Sequence, residues 1–386
     1  MAPLSTAFIV PDLRGGGAQS VMLSLASAID RARFEPSLVV LGETKTFQER
    51  IPGTVPLIIG GHARLRNSIP WLVRHLRHAK PDIVISVMGY LNLTLLALRP
   101  LLPRKTRIVV REANVLDATA NELPYPLNGR YLYRRLYPCA AAVVAPSDAI
   151  AEQLRKTIPA ARTPITVIPN PVDTQRLRSA ATSPKRMEGK GLRLVSAGRL
   201  THQKGYDRLI EIALQLPVDA KTDIFGNGPD ADDLKQRISS HGLIQRVVIH
   251  DFTTELAAWM AGADAFVLPS RWEGLPNVVL ESLAVGTPVI ASDQAAVTQL
   301  ATEAEPGAVT VATMDQSFVD AIGRIVPAPI SPPVLRPSLL PARYQLAEVG
   351  AAWDELLADI TQIDNPTPNP NPAPVSNVDS ALTTKH

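Results

Sequence analysis

The chain has 386 residues, 46% of them hydrophobic and 19% charged, the profile of a globular protein of about two domains. Its 39 Lys and Arg against 36 Asp and Glu leave a net charge of +3, too small an excess to indicate a nucleic-acid-binding protein. The one cysteine, Cys139, excludes an internal disulfide framework and a cysteine-built zinc site; among its apolar neighbours it is expected to be a buried spectator.

The N-terminus, MAPLSTAFIVPDLRGGG, carries a short apolar run with no basic lead and a glycine-rich end. It reads as a first strand rather than a signal peptide. Strands are predicted at 6–10, 37–41, 55–59, 83–87, 107–110 and 142–145, with helices between them, such as 18–29 and 68–79. Several of these strands are unbroken apolar runs, the pattern of strands covered on both faces. ITVIPNPVD (165–173) closes this half. The polar stretch that follows lacks apolar periodicity and reads as a linker, 174–190.

A second alternation follows, with strands predicted at 193–197, 221–225, 247–250, 265–269, 288–292 and 308–311. The fold class is therefore α/β, two Rossmann-like doubly wound domains in tandem. Such sheets bind ligands beyond the carboxyl ends of their strands, and two of them facing each other enclose a cleft. The expected division is an N-terminal domain at 1–173, a second at 191–341, a C-terminal helix at 342–361 and a tail at 362–386. The six prolines of 326–341 rule out a regular helix there. The Pro- and Asn-rich tail has almost no apolar content and is expected to be disordered. No stretch approaches the roughly 20 apolar residues of a membrane span, so a cytoplasmic protein is expected.

Four segments carry candidate chemistry. In SRWEGLPNVVLESLAVGTPVIASD (270–293), Glu273 and Glu281 stand eight residues apart. Glu273 falls in a loop after a strand and Glu281 about one turn into a helix starting near Asn277. The first-turn amides of that helix, with their partial positive charge, suit a diphosphate. The carboxylates suit the hydroxyls of a ribose and a sugar. A capping or solvated role is the ordinary alternative for two glutamates, and the Gly274 and Pro276 punctuation argues against it. In SAGRLTHQKGYDRLIEIAL, Gly198 ends a strand and the cations Arg199 and Lys204 follow in the strand-to-helix loop. There a guanidinium fork and an ammonium point charge can neutralise a departing nucleoside diphosphate. DIFGNGPD supplies Gly226 and Gly228, which permit close backbone approach or a positive φ. The loop Arg14-Gly15-Gly16-Gly17-Ala18 precedes the first helix. It is neither a Walker loop nor a full dinucleotide fingerprint, since Ser20 stands where the third glycine would be. No His/Cys cluster and no Asp-x-Asp at a strand end suggests a metal, and no cofactor is expected.

In order and spacing these segments resemble glycosyltransferase family 4, of the two-domain GT-B architecture, from the first strand to about residue 360. The Glu273–Glu281 element is similar to that family's EX7E motif. The resemblance implies a retaining, metal-independent transfer from a nucleotide-diphosphate sugar. Arg199 and Lys204 would hold the diphosphate, Glu281 the ribose and Glu273 the donor sugar. Gly16 and Gly17 would lie beside the phosphates, and the backbone around Phe252 would border the base. Gly274, Leu275, Pro276, Asn277 and Val278 complete the implied donor site. Many relatives carry a histidine near the acceptor; here the segment is VVREANVLD, which leaves the acceptor-side group open between Glu112 and Asn114. The REAN sequence resembles members acting on lipid-linked oligosaccharides, and UDP is the implied nucleotide. A non-catalytic nucleotide-sugar-binding scaffold and a nucleotide-sugar epimerase are the competing readings; the intact glutamate pair and both cations argue against a degenerate site.

The basic run RLRNSIPWLVRHLRHAK, with Trp71, Leu72 and Leu76 on an apolar face, fits either an interfacial helix on anionic lipid or an ordinary helix packed on its sheet.

Overall fold

The computed structural model describes residues 2–13, 16–42, 53–114, 129–159, 163–185, 191–313, 315–327 and 335–362. Arg14 and Gly15 of the glycine loop, the end of the expected linker and the expected disordered tail from 363 onward lie outside these residues.

Two all-parallel sheets form the scaffold. The first has seven strands: β1 (Leu4–Val10), β2 (Phe34–Val40), β3 (Leu57–Ile59), β4 (Ile83–Val87), β5 (Arg107–Arg111), β6 (Ala142–Ala145) and β7 (Ile165–Val167), in the order β3-β2-β1-β4-β5-β6-β7. The second has six: β8 (Arg193–Ala197), β9 (Lys221–Phe225), β10 (Val247–His250), β11 (Ala265–Leu268), β12 (Val289–Ser292) and β13 (Val309–Ala312), in the order β10-β9-β8-β11-β12-β13. Both sheets reverse direction beside their first strand, at β1/β4 and at β8/β11. The crevice at such a switch point is where doubly wound sheets take ligands.

Central strands β4, β6, β8, β11 and β12 are buried on both faces, which is why they read as largely apolar runs, unbroken in β6 and β11. Each sheet is flanked by two apolar clusters, one per face. β2 begins three residues earlier than the sequence suggests, and it contains Pro36. The proline is tolerated because the pairing with β3 starts only at Leu38, so no ladder bond is asked of Pro36 on that side.

The stretch read as a linker opens with a helix, Thr174–Ala180, capped by the Asp173 carboxylate accepting from Arg176 N at 2.9 Å. Leu177 and Ala181 are buried against the second sheet. Two apolar side chains in so short a helix leave no visible period, which is why a purely polar linker was expected.

The chain crosses between the sheets twice, and the two crossings lie side by side. Val172 N donates to Tyr344 O at 2.8 Å and Leu346 N to Val172 O at 2.9 Å. Beyond this bridge the helix Leu346–Gln362 packs on Gly17–Ala28, and its Val349, Trp353 and Leu357 enter the core of the first sheet. Cys139 is exposed, not buried as expected. It ends the turn Tyr137–Cys139, in which fully buried Tyr137 takes the inward position and leaves Cys139 facing out.

Candidate active site

The loops after β8, β9 and β11 are locked to one another. Gly198 N donates to Phe225 O and Leu200 N to Asn227 O, each at 3.0 Å. A Cβ on Gly226 would collide with Gly198 O, and one on Gly228 with Leu200 O. The GNGP glycines therefore serve the approach of two backbones; Gly226, at φ +151°, also holds a conformation that side chains disfavour. The third loop joins through Arg271, whose guanidinium donates to both carboxylate oxygens of Asp207 at 2.8 and 2.6 Å, and through Gln203 Nε2 donating to Trp272 O at 3.0 Å. This Arg271 contact holds the Asp207 carboxyl below its usual pKa.

On this frame Lys204 and Glu273 meet. Lys204 Nζ lies 2.6 Å from Glu273 Oε1, and the same oxygen accepts from Ser270 Oγ at 2.7 Å. Only 17% and 8% of the two side chains is exposed, so each charge is held largely out of water by the other. Arg199 stands exposed in the same loop as Lys204. Phe252, 49% exposed, projects from the loop after β10. Below that loop His250 Nε2 sits 2.7 Å from Asp223 Oδ1; burial raises the pKa of the Asp223 carboxyl, and the histidine contact opposes this.

The helix Asn277–Ala284 follows Glu273. Its N-cap is Pro276, and no side chain caps it. Val279 N donates to Pro276 O at 3.1 Å, and no side chain competes for the amides before it at the helix's positive end. Glu281 and Asn277 line a crevice with Ser20 and Ser24 of the Gly17–Ala28 helix and with Asp173 and Arg176. The glycine loop and the EX7E helix thus meet across the cleft, and Asn277 Nδ2 donates to Gly17 O at 2.9 Å. Gly16 is the N-cap of the first helix, and a Cβ on it would strike the Gln19 amide. Leu275 is buried in the second sheet's core and Val278 packs against it, so both support the loop from behind.

The two acceptor-side candidates separate. A Cβ on Gly274 would lie 2.5 Å from Ala113 O and 3.1 Å from Asn114 Cα, so the Glu273–Leu275 loop abuts the segment after β5 at Ala113 and Asn114. Glu112 points the other way and is fully buried. It accepts from Tyr137 Oη, from Asn92 Nδ2 at 3.0 Å and from Tyr133 Oη at 3.5 Å. Burial pushes its carboxyl up to about 7, against the lowering effect of these bonds and of Arg111. Strand alternation would place residues 112 and 114 on one face, but the strand ends at Arg111, so the alternation does not extend to them. Of the two residues between which the acceptor-side group was left open, Glu112 is buried and Asn114 adjoins the Glu273–Leu275 loop.

Asn170, Ser270, Gln203 and Asp207 were not singled out from sequence. Asn170 in VIPNPVD, between two prolines at a strand end, was the visible signal. The other three belong to pairings that only the assembled loops create.

Two doubly wound sheets meeting across a cleft, with cations and a helix start on the second and a glycine loop on the first, define the GT-B glycosyltransferase architecture. Two family models match, Glycosyltransferase Family 4 over residues 15–176 and Glycosyl transferases group 1 over residues 181–332. The chain belongs to the family 4 type of GT-B glycosyltransferases. It is 31% identical over 240 residues to the lipopolysaccharide core biosynthesis mannosyltransferase LpsB of Rhizobium meliloti, covering 58% of this chain and 63% of the relative. It is 27% identical over 190 residues to the N-acetylgalactosamine-N,N'-diacetylbacillosaminyl-diphospho-undecaprenol 4-alpha-N-acetylgalactosaminyltransferase of Campylobacter jejuni, covering 49% and 52%. The matches thus span about half to two thirds of these curated relatives. In fold it is similar to HepE of Anabaena, solved with UDP and glucose, at a TM-score of 0.73 and 16% identity over 92% of this chain and all of that one.

Proposed function

We propose that the chain is a retaining glycosyltransferase that moves a hexose or N-acetylhexosamine from a nucleotide-diphosphate sugar, UDP-linked, to a saccharide on a lipid-linked oligosaccharide of cell-surface polysaccharide synthesis. The observation that carries the reading is the Lys204–Glu273 pair at the sheet's switch point, beside Arg199 and an uncapped helix start. It supplies an anion site and a sugar-facing carboxylate in one place. The activities for which the Rhizobium and Campylobacter relatives are named support the acceptor class, and the UDP and glucose of HepE support the donor.

In this mechanism the bond between the anomeric carbon and the β-phosphate oxygen breaks as the acceptor oxygen bonds on the same face. The leaving phosphate takes the acceptor's proton. Arg199, Lys204 and the amides of Asn277 and Val278 stabilise the charge that develops on the diphosphate, so no metal is required. Glu273 orients the donor sugar, Glu281 the ribose, and Asn114 borders the acceptor.

The test is thermal unfolding of the protein with UDP, GDP, ADP and their sugars, with and without EDTA, beside Arg199→Ala. A ligand at 100 times its dissociation constant should add roughly 2.7 kcal/mol. Stabilisation by one nucleotide class in EDTA, absent in Arg199→Ala, supports the donor site; no response at millimolar concentration would count against it.

A further inference from the structure

We infer that Asn170 is a positioning residue of the donor site: it links the end of β5 on the first sheet to the start of the Asn277–Ala284 helix, so that the phosphate-facing amides are set only when the two sheets meet. This rests on the function proposed above.

Asn170 follows β7 by three residues and is only 6% exposed, and its amide nitrogen donates across the boundary between the sheets while its oxygen is held within the first. Its Oδ1 accepts from Arg111 Nη2 at the end of β5. Its Nδ2 donates to Leu275 O at 2.9 Å and also to Asn277 Oδ1. Asn277 Nδ2 then donates to Gly17 O at 2.9 Å. A single path, Arg111–Asn170–Asn277–Gly17, leaves the first sheet, brackets Pro276 and returns to the glycine loop.

Pro276 is the N-cap of a helix with no side-chain cap of its own, so its aim depends on what holds residues 275 and 277. Asn170 holds both. It is itself fixed by Pro169 and Pro171, whose rings restrict the backbone on either side, and by Arg111, which is buried in the first sheet. Both hydrogens of the amide are needed to grip the two sides of Pro276, and its oxygen to reach Arg111. Neither aspartate nor serine supplies that combination. Asn170 touches no expected reacting atom, so its effect passes through the helix start.

The experiment compares Asn170→Asp and Asn170→Ser with the wild type as full chains. Asn170→Asp is isosteric and keeps a partner for Arg111 while losing both donor hydrogens. Hydrogen exchange at the amides of residues 277–279 needs no substrate, and faster exchange in both variants at an unchanged melting temperature is expected. Turnover of UDP-glucose should fall about 10–100-fold, with a smaller change in KM, as for a misplaced transition-state contact. Unchanged protection at 277–279 in a folded variant, or turnover within about twofold of wild type, overturns the proposal. So does a loss of activity that follows a fall in melting temperature, because Asn170 would then be scaffold alone. If the wild type itself neither binds nor turns over any nucleotide sugar, the proposed function fails, and the exchange measurement still decides the linkage.

Discussion

At the scale of single residues, the site holds its charges in pairs. Lys204 is kept within reach of the cleft by Glu273, and Ser270 donates to the same carboxylate oxygen. Lys204→Met keeps the aliphatic stem and removes only the ammonium. We expect kcat to fall by about a hundredfold or more, the scale of losing one donor to a developing oxyanion, while unfolding in denaturant changes much less. Near-wild-type turnover would remove Lys204 from the mechanism. Glu112 gives a pH prediction. Its folded pKa, about 7, lies above the ordinary 4.5, so the native state binds the proton more tightly than the unfolded chain. The stability this confers is complete below about pH 4.5 and is lost as pH rises through about 7. At about 1.4 kcal/mol per unit the change is a few kcal/mol at most. Glu112→Gln should flatten the stability profile across that window; a profile identical to wild type would show that the Tyr137 and Asn92 bonds offset the burial.

Among the elements, the strands of the second half and the start of the Asn277–Ala284 helix were legible in the sequence almost to the residue, because buried parallel strands are short, largely apolar runs between glycine- and proline-marked turns. β8, β9 and β10 have the predicted bounds. β7 and the helix Thr174–Ala180 were not legible, since three half-buried residues and a seven-residue helix give too short a pattern. The basic run around Trp71 resolves toward the bland alternative: Leu72 and Leu76 are fully buried in the first sheet's core, and the half-buried Trp71 stacks on His75 at 5.4 Å. Its apolar face is turned inward, while Arg66, Arg74 and Arg77 remain exposed. The helix Leu346–Gln362 illustrates packing over propensity. Trp353 is fully buried, and its indole N–H has no partner among the described residues. Trp353→Ala should cost about 3–5 kcal/mol in denaturant unfolding, through the cavity it leaves. Trp353→Phe should cost far less, because the group deleted with the indole makes no hydrogen bond. Equal costs would mean the N–H is bonded in solution.

For the molecule as a whole, the two crossings bound to each other at Val172 and Gln345 make one paired connection between the sheets. The C-terminal helix, seated in the first sheet's core, ties both ends of the second unit to the same body. No helix among the described residues is long and apolar enough to cross a membrane. We propose that attraction to anionic lipid, where it occurs, draws on the exposed Arg66, Arg74 and Arg77. Adsorption to anionic vesicles should therefore be weak, weaken further with salt, and drop on replacing Arg74 and Arg77 with glutamine. Salt-independent adsorption would point to an apolar contact instead.

Sequence alone determined the fold class, the order of the loops and the types of residue on them. Periodicity, turn residues and the spacing of Glu273 and Glu281 are local, and local patterns survive in one dimension. Tertiary structure decided which of those residues meet. The Lys204–Glu273 pair spans 69 positions and the Asn170–Asn277 contact 107, and neither leaves a trace in either segment alone. It also separated Asn114 from Glu112, two residues apart in the chain, because the direction in which a strand's end turns is set by what packs against it.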